Sequence, residues 1–258
     1  HDIYMIIRQK IREFIAYYYD TVSSYNSDQK RVILFTQGRT GSTLLGDLLS
    51  SSGYFQTRGE LFDQNLSKIE PFYPIKYIEG LGKWKRNEHY LFHVKVHQLT
   101  IQRKHPIDPA VFLQTLHTNG WQIIYLHRRN RVKHSLSNFI AAERGKWHKK
   151  TDEKEDFRLT IDCDEFAAAV QRRIKNEQAE LEALDALDYH EVIYEDDLLK
   201  SERHQETVNK IFDFLSLEPR KVTTEHRKIN KAPLHETIIN YDEFVQCLEQ
   251  HGWKHFIE

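Results

Sequence analysis

The sequence is short of the residues that build special scaffolds. It has two cysteines in 258 residues, Cys163 and Cys247. Two sulfurs make neither a disulfide framework nor a cysteine-rich metal site, and the expectation is a pair of reduced thiols. No metal site is expected. Glycine (10) and proline (6) are scarce, which excludes collagen-like and low-complexity chains. No apolar run approaches the roughly 18 residues of a membrane-spanning helix. Neither sign of charge dominates. Lys+Arg number 37 against Asp+Glu 38, for a net charge of −1. A nucleic-acid or general polyanion binder would show a basic excess, so no nucleic-acid partner is expected, although one local anion site is still allowed.

What is present is the composition of a folded protein, with 40% hydrophobic and 29% charged residues. A chain of this length buries a sizeable core. It begins at His1 rather than Met, so a targeting or anchoring segment upstream is conceivable. Asn65-Leu66-Ser67 fits the short N-glycosylation pattern.

Periodicity predicts helices and short apolar strands in alternation. Ile3 to Tyr19 reads as a helix, Arg31 to Gln37 as a buried strand, and Ser42 to Ser52 as a helix with Ser42 near its N-cap. Tyr90 to Val96, Trp121 to Leu126 and His190 to Tyr194 read as further strands. Pro109 to Thr118, Val132 to Arg144, Asp164 to Leu187 and Glu206 to Leu215 read as helices. This order implies parallel βαβ units and a three-layer α/β fold, P-loop-like, with a central parallel sheet flanked by helices. Asn65 to Asn87 and Lys146 to Asp162 read as irregular insertions at the mouth of a site. The expected organisation is one domain over 1–258: an N-terminal helix within 1–28, a nucleotide-binding core over 31–147, and a helical remainder over 148–258 holding one core strand.

Two stretches carry chemistry. Thr36-Gln-Gly-Arg-Thr-Gly-Ser-Thr-Leu-Leu45 joins a strand to a helix through two glycines. The helix start presents unpaired N–H groups and partial positive charge, and Arg39 adds a permanent cation, so the loop suits a phosphate-like anion. It is not a Walker A loop, because Gly41 stands where that motif has Lys before Ser42. The second stretch, Tyr125-Leu-His-Arg-Arg-Asn-Arg-Val-Lys-His-Ser-Leu-Ser137, runs from a strand end into a basic helix start. Arg grips a phosphate bidentately, and carboxyl ends of neighbouring strands share a crevice in such sheets.

Gln37-Gly-Arg-Thr-Gly-Ser-Thr-Leu-Leu45 resembles the 5′-phosphosulfate-binding loop of sulfotransferases that use 3′-phosphoadenosine 5′-phosphosulfate (PAPS). An Arg followed eight residues later by a Ser resembles that family's 3′-phosphate motif. Aligning on Ser137 selects Arg129, and aligning on Tyr125 selects Arg128. The resemblance spans Arg31 to Trp147 and extends weakly to Tyr194-Glu-Asp196. It implies that Arg39, Thr40, Gly41, Ser42 and Thr43 hold the 5′ end of PAPS, and that Arg129 and Ser137, with Arg128 in reserve, hold the 3′-phosphate. Arg227, Lys228 and Lys231 stand where the family often has a nucleotide-closing loop, but its usual Arg-Lys-Gly pattern is absent.

Sulfuryl transfer needs a base for the acceptor hydroxyl and stabilisation of the leaving phosphate, by analogy with phosphoryl transfer. Arg39 is the candidate for the second role. Two bases compete. Glu60, in Arg58-Gly-Glu-Leu-Phe62, resembles the base of bacterial sulfotransferases of the trehalose-sulfating type and related carbohydrate sulfotransferases, and the residues around Trp147 resemble the same group. His97, in Lys95-Val-His97, resembles the Lys-Thr-His of cytosolic small-molecule sulfotransferases, and imidazole titrates nearer neutrality. Glu60 is favoured, with Lys95 orienting the sulfuryl oxygens. His93 and His97, four apart, are expected on one strand face. The implied protein is a cytoplasmic bacterial enzyme acting on a hydroxyl-bearing small molecule or glycan. The alternatives are a P-loop kinase and a nucleotide-binding module without turnover. Phe62, Phe72 and Tyr73 are candidates to line the acceptor site.

Overall fold

The computed structural model describes residues 2–63, 70–147, 157–225 and 232–257. The Asn65-Leu66-Ser67 pattern, His148 and the basic residues Arg227, Lys228 and Lys231 lie outside the described residues. In chain order the elements are α1 (Asp2–Val22), β1 (Arg31–Thr36), α2 (Ser42–Ser51), β2 (Phe55–Glu60) and α3 (Pro74–Trp84). Then come β3 (His89–Val94), α4 (Val96–Leu99), α5 (Pro109–Thr118), β4 (Gln122–His127), α6 (Arg131–Trp147) and α7 (Cys163–Leu184). The last are β5 (Tyr189–Ile193), a π-helical turn (Tyr194–Leu198), α8 (His204–Phe214), α9 (Leu234–Thr237) and α10 (Tyr241–Gln250).

Two compact units result. The first comprises His1–His127 and Gln178–Thr224, the second Arg128–Glu177 and Glu225–Glu258. The first unit carries a five-stranded sheet in the order β2-β3-β1-β4-β5, every pairing parallel. Successive strand residues serve opposite faces. Ile33, Phe35, Phe92, Ile123 and Tyr125 enter one core with Ile78, Leu81 and Phe112 from α3 and α5. Val32, Leu34, Leu91, Ile124 and Leu126 enter the other with Leu45, Leu48, Val208 and Phe212 from α2 and α8. Both faces are therefore covered, as parallel sheets require, and the α/β class with helices flanking a central parallel sheet holds.

Local chemistry sets several helix starts. The Asp108 carboxylate accepts from the Ala110 and Val111 N–H groups, with Pro109 in the first turn of α5. Asn130 Oδ1 accepts from Lys133 N–H at the start of α6, and Asp162 Oδ1 from Glu165 N–H at the start of α7. Beyond α4, the Leu99 carbonyl accepts from Ile107 N–H.

Three expectations need correction here. The stretch Asn65 to Asn87 is not wholly irregular, because α3 occupies Pro74–Trp84 with Pro74 in its first turn and Tyr77, Ile78 and Leu81 buried. The helix starting at Ser42 is capped by Gly41 in the left-handed conformation, so Ser42 is its first residue rather than its cap. Finally, Cys163 and Cys247 are not free thiols. They form a disulfide within the second unit, with Cα atoms 5.8 Å apart. Their separation of 84 residues left no local signal for it.

α1 lies against α3 by a close backbone approach. A Cβ built on Gly80 would stand 1.7 Å from the Ala16 carbonyl oxygen. Backbone cannot yield as a flexible side chain does, so Gly80→Ala must push the two helices apart. The expected cost is about 1–3 kcal/mol of overpacking, despite alanine's better helix propensity. The check is the urea midpoint, and an unchanged midpoint would mean the helices slide apart freely.

The second unit has its own apolar core. Val132, Leu136, Leu159, Phe166, Val170 and Phe244 are buried together there. Leu159 and Ile238 form an isolated parallel bridge, and the Asn240 side chain bonds the backbone of Ile161 on both sides.

Candidate active site

With β1 in the middle of the sheet, the chain runs from it to edge strand β2, returns through β3, and then crosses to β4. The reversal beside β1 places a crevice at the carboxyl ends of the strands. The glycine loop leaves that end of β1. Arg39 has φ 70° and Gly41 φ 93°, so two left-handed residues turn the chain sharply into α2. For Arg39, such a backbone is a sparsely populated state, costing of order 1–3 kcal/mol. Gly41 is required twice over: by its φ, and because a Cβ there would meet the Tyr194 ring at 2.9 Å.

The first bond of α2 runs from Leu45 N–H to the Gly41 carbonyl, so the helix itself makes no use of the N–H groups of Ser42, Thr43 and Leu44. Arg39 and Thr43 are exposed, and Ser42 is buried. Thr40 is fully buried. Its hydroxyl lies 2.6 Å from the Thr36 hydroxyl and 2.9 Å from the Gln37 carbonyl. Thr36 in turn donates to the Leu126 carbonyl at 2.7 Å. Thr40 thus knits the loop to β4 with its side chain and offers a ligand only its backbone. Beneath the loop, the buried Glu180 carboxylate accepts from Gln37 Nε2 and the Tyr125 hydroxyl, each at 3.1 Å.

Glu60 ends β2, at the same edge of the sheet. Lys95 Nζ donates to its Oε2 at 2.6 Å, and Gln98 Nε2 donates to the same oxygen at 2.7 Å. The ion pair is mostly covered, with side chains 21% (Glu60) and 12% (Lys95) exposed. Lys95 also faces the glycine loop, since its Nζ lies 3.6 Å from where a Cβ on Gly38 would stand. Glu60, Lys95 and the loop at Gly38 are therefore brought together, with Glu60 Oε1 carrying neither of those two bonds.

Gln98 is the member that sequence reasoning missed. It is buried, and its Oε1 accepts from the Lys95 N–H at 3.1 Å. That bond turns the chain out of β3 into α4. It also corrects the placing of the histidines: His97 lies on α4, not on the strand, so it shares no strand face with His93. His93 pairs in register with Glu60. Burial, and secondarily the Lys95 charge, lower its pKa to about 4, so the ring is neutral near pH 7.

Gln98→Leu is expected to remove both bonds, leaving a part-buried carboxylate oxygen and a backbone N–H short of a partner. The cost is about 1–3 kcal/mol in stability. If Glu60 reacts with a bound acceptor, its mispositioning lowers kcat by roughly 10²-fold. A positioning role requires the loss in kcat with nucleotide affinity unchanged. Equal losses in both would reduce Gln98 to a structural residue.

Arg128, Arg129 and Ser137 follow β4 in the chain and belong to the second unit. Arg129 is exposed, while Arg128 and Ser137 are half-buried. Ser137 lies on α6, whose Arg131 pairs with Glu177 at 2.9 Å. Of the aromatic candidates, Phe62 is buried against Phe92 and Phe112, a packing role, whereas Phe72 and Tyr73 are exposed. Among the described residues, one trio of possible metal ligands lies close together, Cys163, Cys247 and His251, but its two sulfurs are joined in the disulfide. No helix of the described residues is long and apolar enough to cross a membrane.

No family model matches the sequence, and no curated protein matches it. Among solved structures, the chain is similar to a sulfotransferase domain from the curacin biosynthetic pathway, at 16% identity and TM-score 0.48 over 83% of each chain. It is also similar to a sulfotransferase from Alicyclobacillus acidocaldarius, at 14% identity and TM-score 0.46, over 79% of this chain and 87% of that one.

Proposed function

We propose that this chain is a sulfotransferase that moves a sulfuryl group from PAPS to a hydroxyl of a carbohydrate or glycolipid. The observation that carries the reading is the Glu60–Lys95 pair at the carboxyl edge of the sheet, with the Lys95 ammonium turned toward the glycine loop. A carboxylate, a cation beside it and an anion-binding turn are parts that in-line transfer uses.

The residues fit the donor. The left-handed turn at Arg39 and Gly41 and the N–H groups at the start of α2 suit an anion, and Arg39 adds charge without a metal. Residues 39–43 would hold the 5′-phosphosulfate, Thr40 through its backbone. The 3′-phosphate role falls to Arg129 and Ser137, with Arg128 as a second guanidinium. PAPS supplies the activated sulfuryl group.

Glu60 Oε1 takes the proton of the acceptor hydroxyl as the acceptor oxygen bonds to sulfur. The bond from sulfur to the bridging phosphate oxygen breaks, and that oxygen keeps the electron pair. Arg39 and the loop N–H groups neutralise the charge left on the phosphate. Lys95, held between Glu60 and the glycine loop, orients the sulfuryl oxygens for the attack. His97 is the rival base, on the short helix beside Lys95.

The compartment follows the sulfurs. A formed Cys163–Cys247 bond fits a compartment that keeps disulfides oxidised, and the cytoplasmic bacterial setting implied by the resemblance does not follow from it.

The deciding experiment is thermal shift with adenosine 3′,5′-bisphosphate against ADP, AMP and ATP, followed by sulfuryl transfer from PAPS to sugar, lipid and phenol acceptors. Preference for the 3′,5′-bisphosphate and transfer to a sugar hydroxyl are expected. Mg²⁺-dependent phosphoryl transfer from ATP would make the chain a kinase, and binding without transfer to any acceptor would make it a nucleotide-binding module.

A further inference from the structure

α1 has two apolar faces, and only one is used. Glu13, Ala16 and Tyr17 turn inward: Ala16 meets α3, while the Glu13 carboxylate and the Tyr17 hydroxyl accept from the backbone N–H groups of Phe72 and Tyr73. The opposite face presents Tyr4, Ile7, Ile11, Phe14 and Tyr18 to solvent, 67%, 53%, 56%, 80% and 62% exposed. Their spacing of 3, 4, 3 and 4 is that of a seam between two helices. A single exposed apolar residue is ordinary, but a row of five along one helix is not.

The shape of the face says what kind of partner it takes. Ile11, Phe14, Ile15 and Tyr18, with Lys10 and Tyr19 at the rim, line a shallow groove on α1. Positions i, i+3, i+4 and i+7 of a helix form the socket that receives one side chain of a facing helix. A lipid surface needs no socket. Of the cations near the stripe, Arg8 is exposed, while two others are held by carboxylates. The Lys10 ammonium is held by Glu13 at 2.7 Å, and Lys83 by Asp20 at 2.7 Å.

We infer that α1 pairs with α1 of a second copy of this chain, the stripe of each seated against the other. The face is self-complementary, because it carries both the socket and, in Phe14, a large exposed knob. An isologous contact of this kind closes as a two-fold dimer. The exposed parts of the stripe and the adjoining Val22 amount to about 700 Å² at most, close to the ~800 Å² per partner of a standard stable interface.

Sedimentation velocity on the whole chain at micromolar concentration tests it, with Phe14→Glu, Ile11→Arg and the control Ile101→Glu. Ile101 is an exposed isoleucine away from α1, 83% exposed. The expected result is a species of twice the 30.9 kDa chain mass, retained in Ile101→Glu. In Phe14→Glu and in Ile11→Arg the dissociation constant should rise at least about 100-fold, with the circular dichroism spectrum of the folded chain unchanged and Tm lowered only by the lost association. A monomeric parent chain, or stripe variants that dimerise as the parent does, would overturn the proposal. So would a monomer that co-sediments with phosphatidylserine-containing vesicles, which would assign the stripe to a membrane surface.

Discussion

Glu60→Gln is expected to lower the turnover number of sulfuryl transfer by about 10²–10⁴-fold, the range for removing a positioned general base. The amide keeps the size of the side chain and an oxygen for the Gln98 and Lys95 donors, so the site should stay assembled. It cannot accept the acceptor's proton. Affinity for adenosine 3′,5′-bisphosphate should therefore stay within about 2-fold, since the reading places the nucleotide on residues 39–43 and not on Glu60. Some stability is lost as well, because Lys95, 12% exposed, trades an ionised partner for a neutral one. Arg39→Ala should behave differently. It removes charge from the anion loop, so it lowers both turnover and nucleotide affinity. The two variants separate the chemical step from binding when single-turnover rates are measured at saturating donor. A Glu60→Gln enzyme within about 10-fold of the parent rate would remove the carboxylate as base and pass the role to His97.

Legibility in the sequence followed burial. β1, β3 and β4 are covered on both faces, so they stand out as unbroken apolar runs such as Val32-Ile-Leu-Phe35. β2 is an edge strand in which only Phe55 is buried, and Gly59 interrupts it with φ 65°. Nothing in Phe55-Gln-Thr-Arg-Gly-Glu60 alternates, so the sequence carries no strand signal there. α3 was hidden by its glycines, Gly80 and Gly82. They look like loop punctuation but serve close packing against Ala16 and against Tyr25 and Trp121. In the site, residue types were legible and geometry was not. Lys95 and Glu60 are 35 positions apart, and they meet only because β2 and β3 are neighbours in register. Gln98 carries no sequence signal at all, because its role depends on the turn it creates. Thr40 shows the reverse: a hydroxyl beside an anion loop invites a ligand role, and burial turns it inward.

The disulfide had no local signal either, and its removal carries the second large effect. It links the start of α7 to α10, closing a loop of 84 residues. In the chain-entropy account such a closure contributes about 4–5 kcal/mol by restricting the unfolded chain. Reduction by a strong dithiol, or Cys163→Ala with Cys247→Ala, should therefore lower Tm by about 10 °C for a chain of this size. The loss belongs to the second unit, where Cys247 is buried and α10 contributes Phe244 and Leu248 to the core around Phe166. Hydrogen exchange should accelerate there, at residues 159–177 and 238–250, before it does in the strands of the sheet. Reduction and the double alanine variant should agree, since each removes the same crosslink. A reduced protein that melts where the oxidised one does would show that the bond restrains nothing in solution.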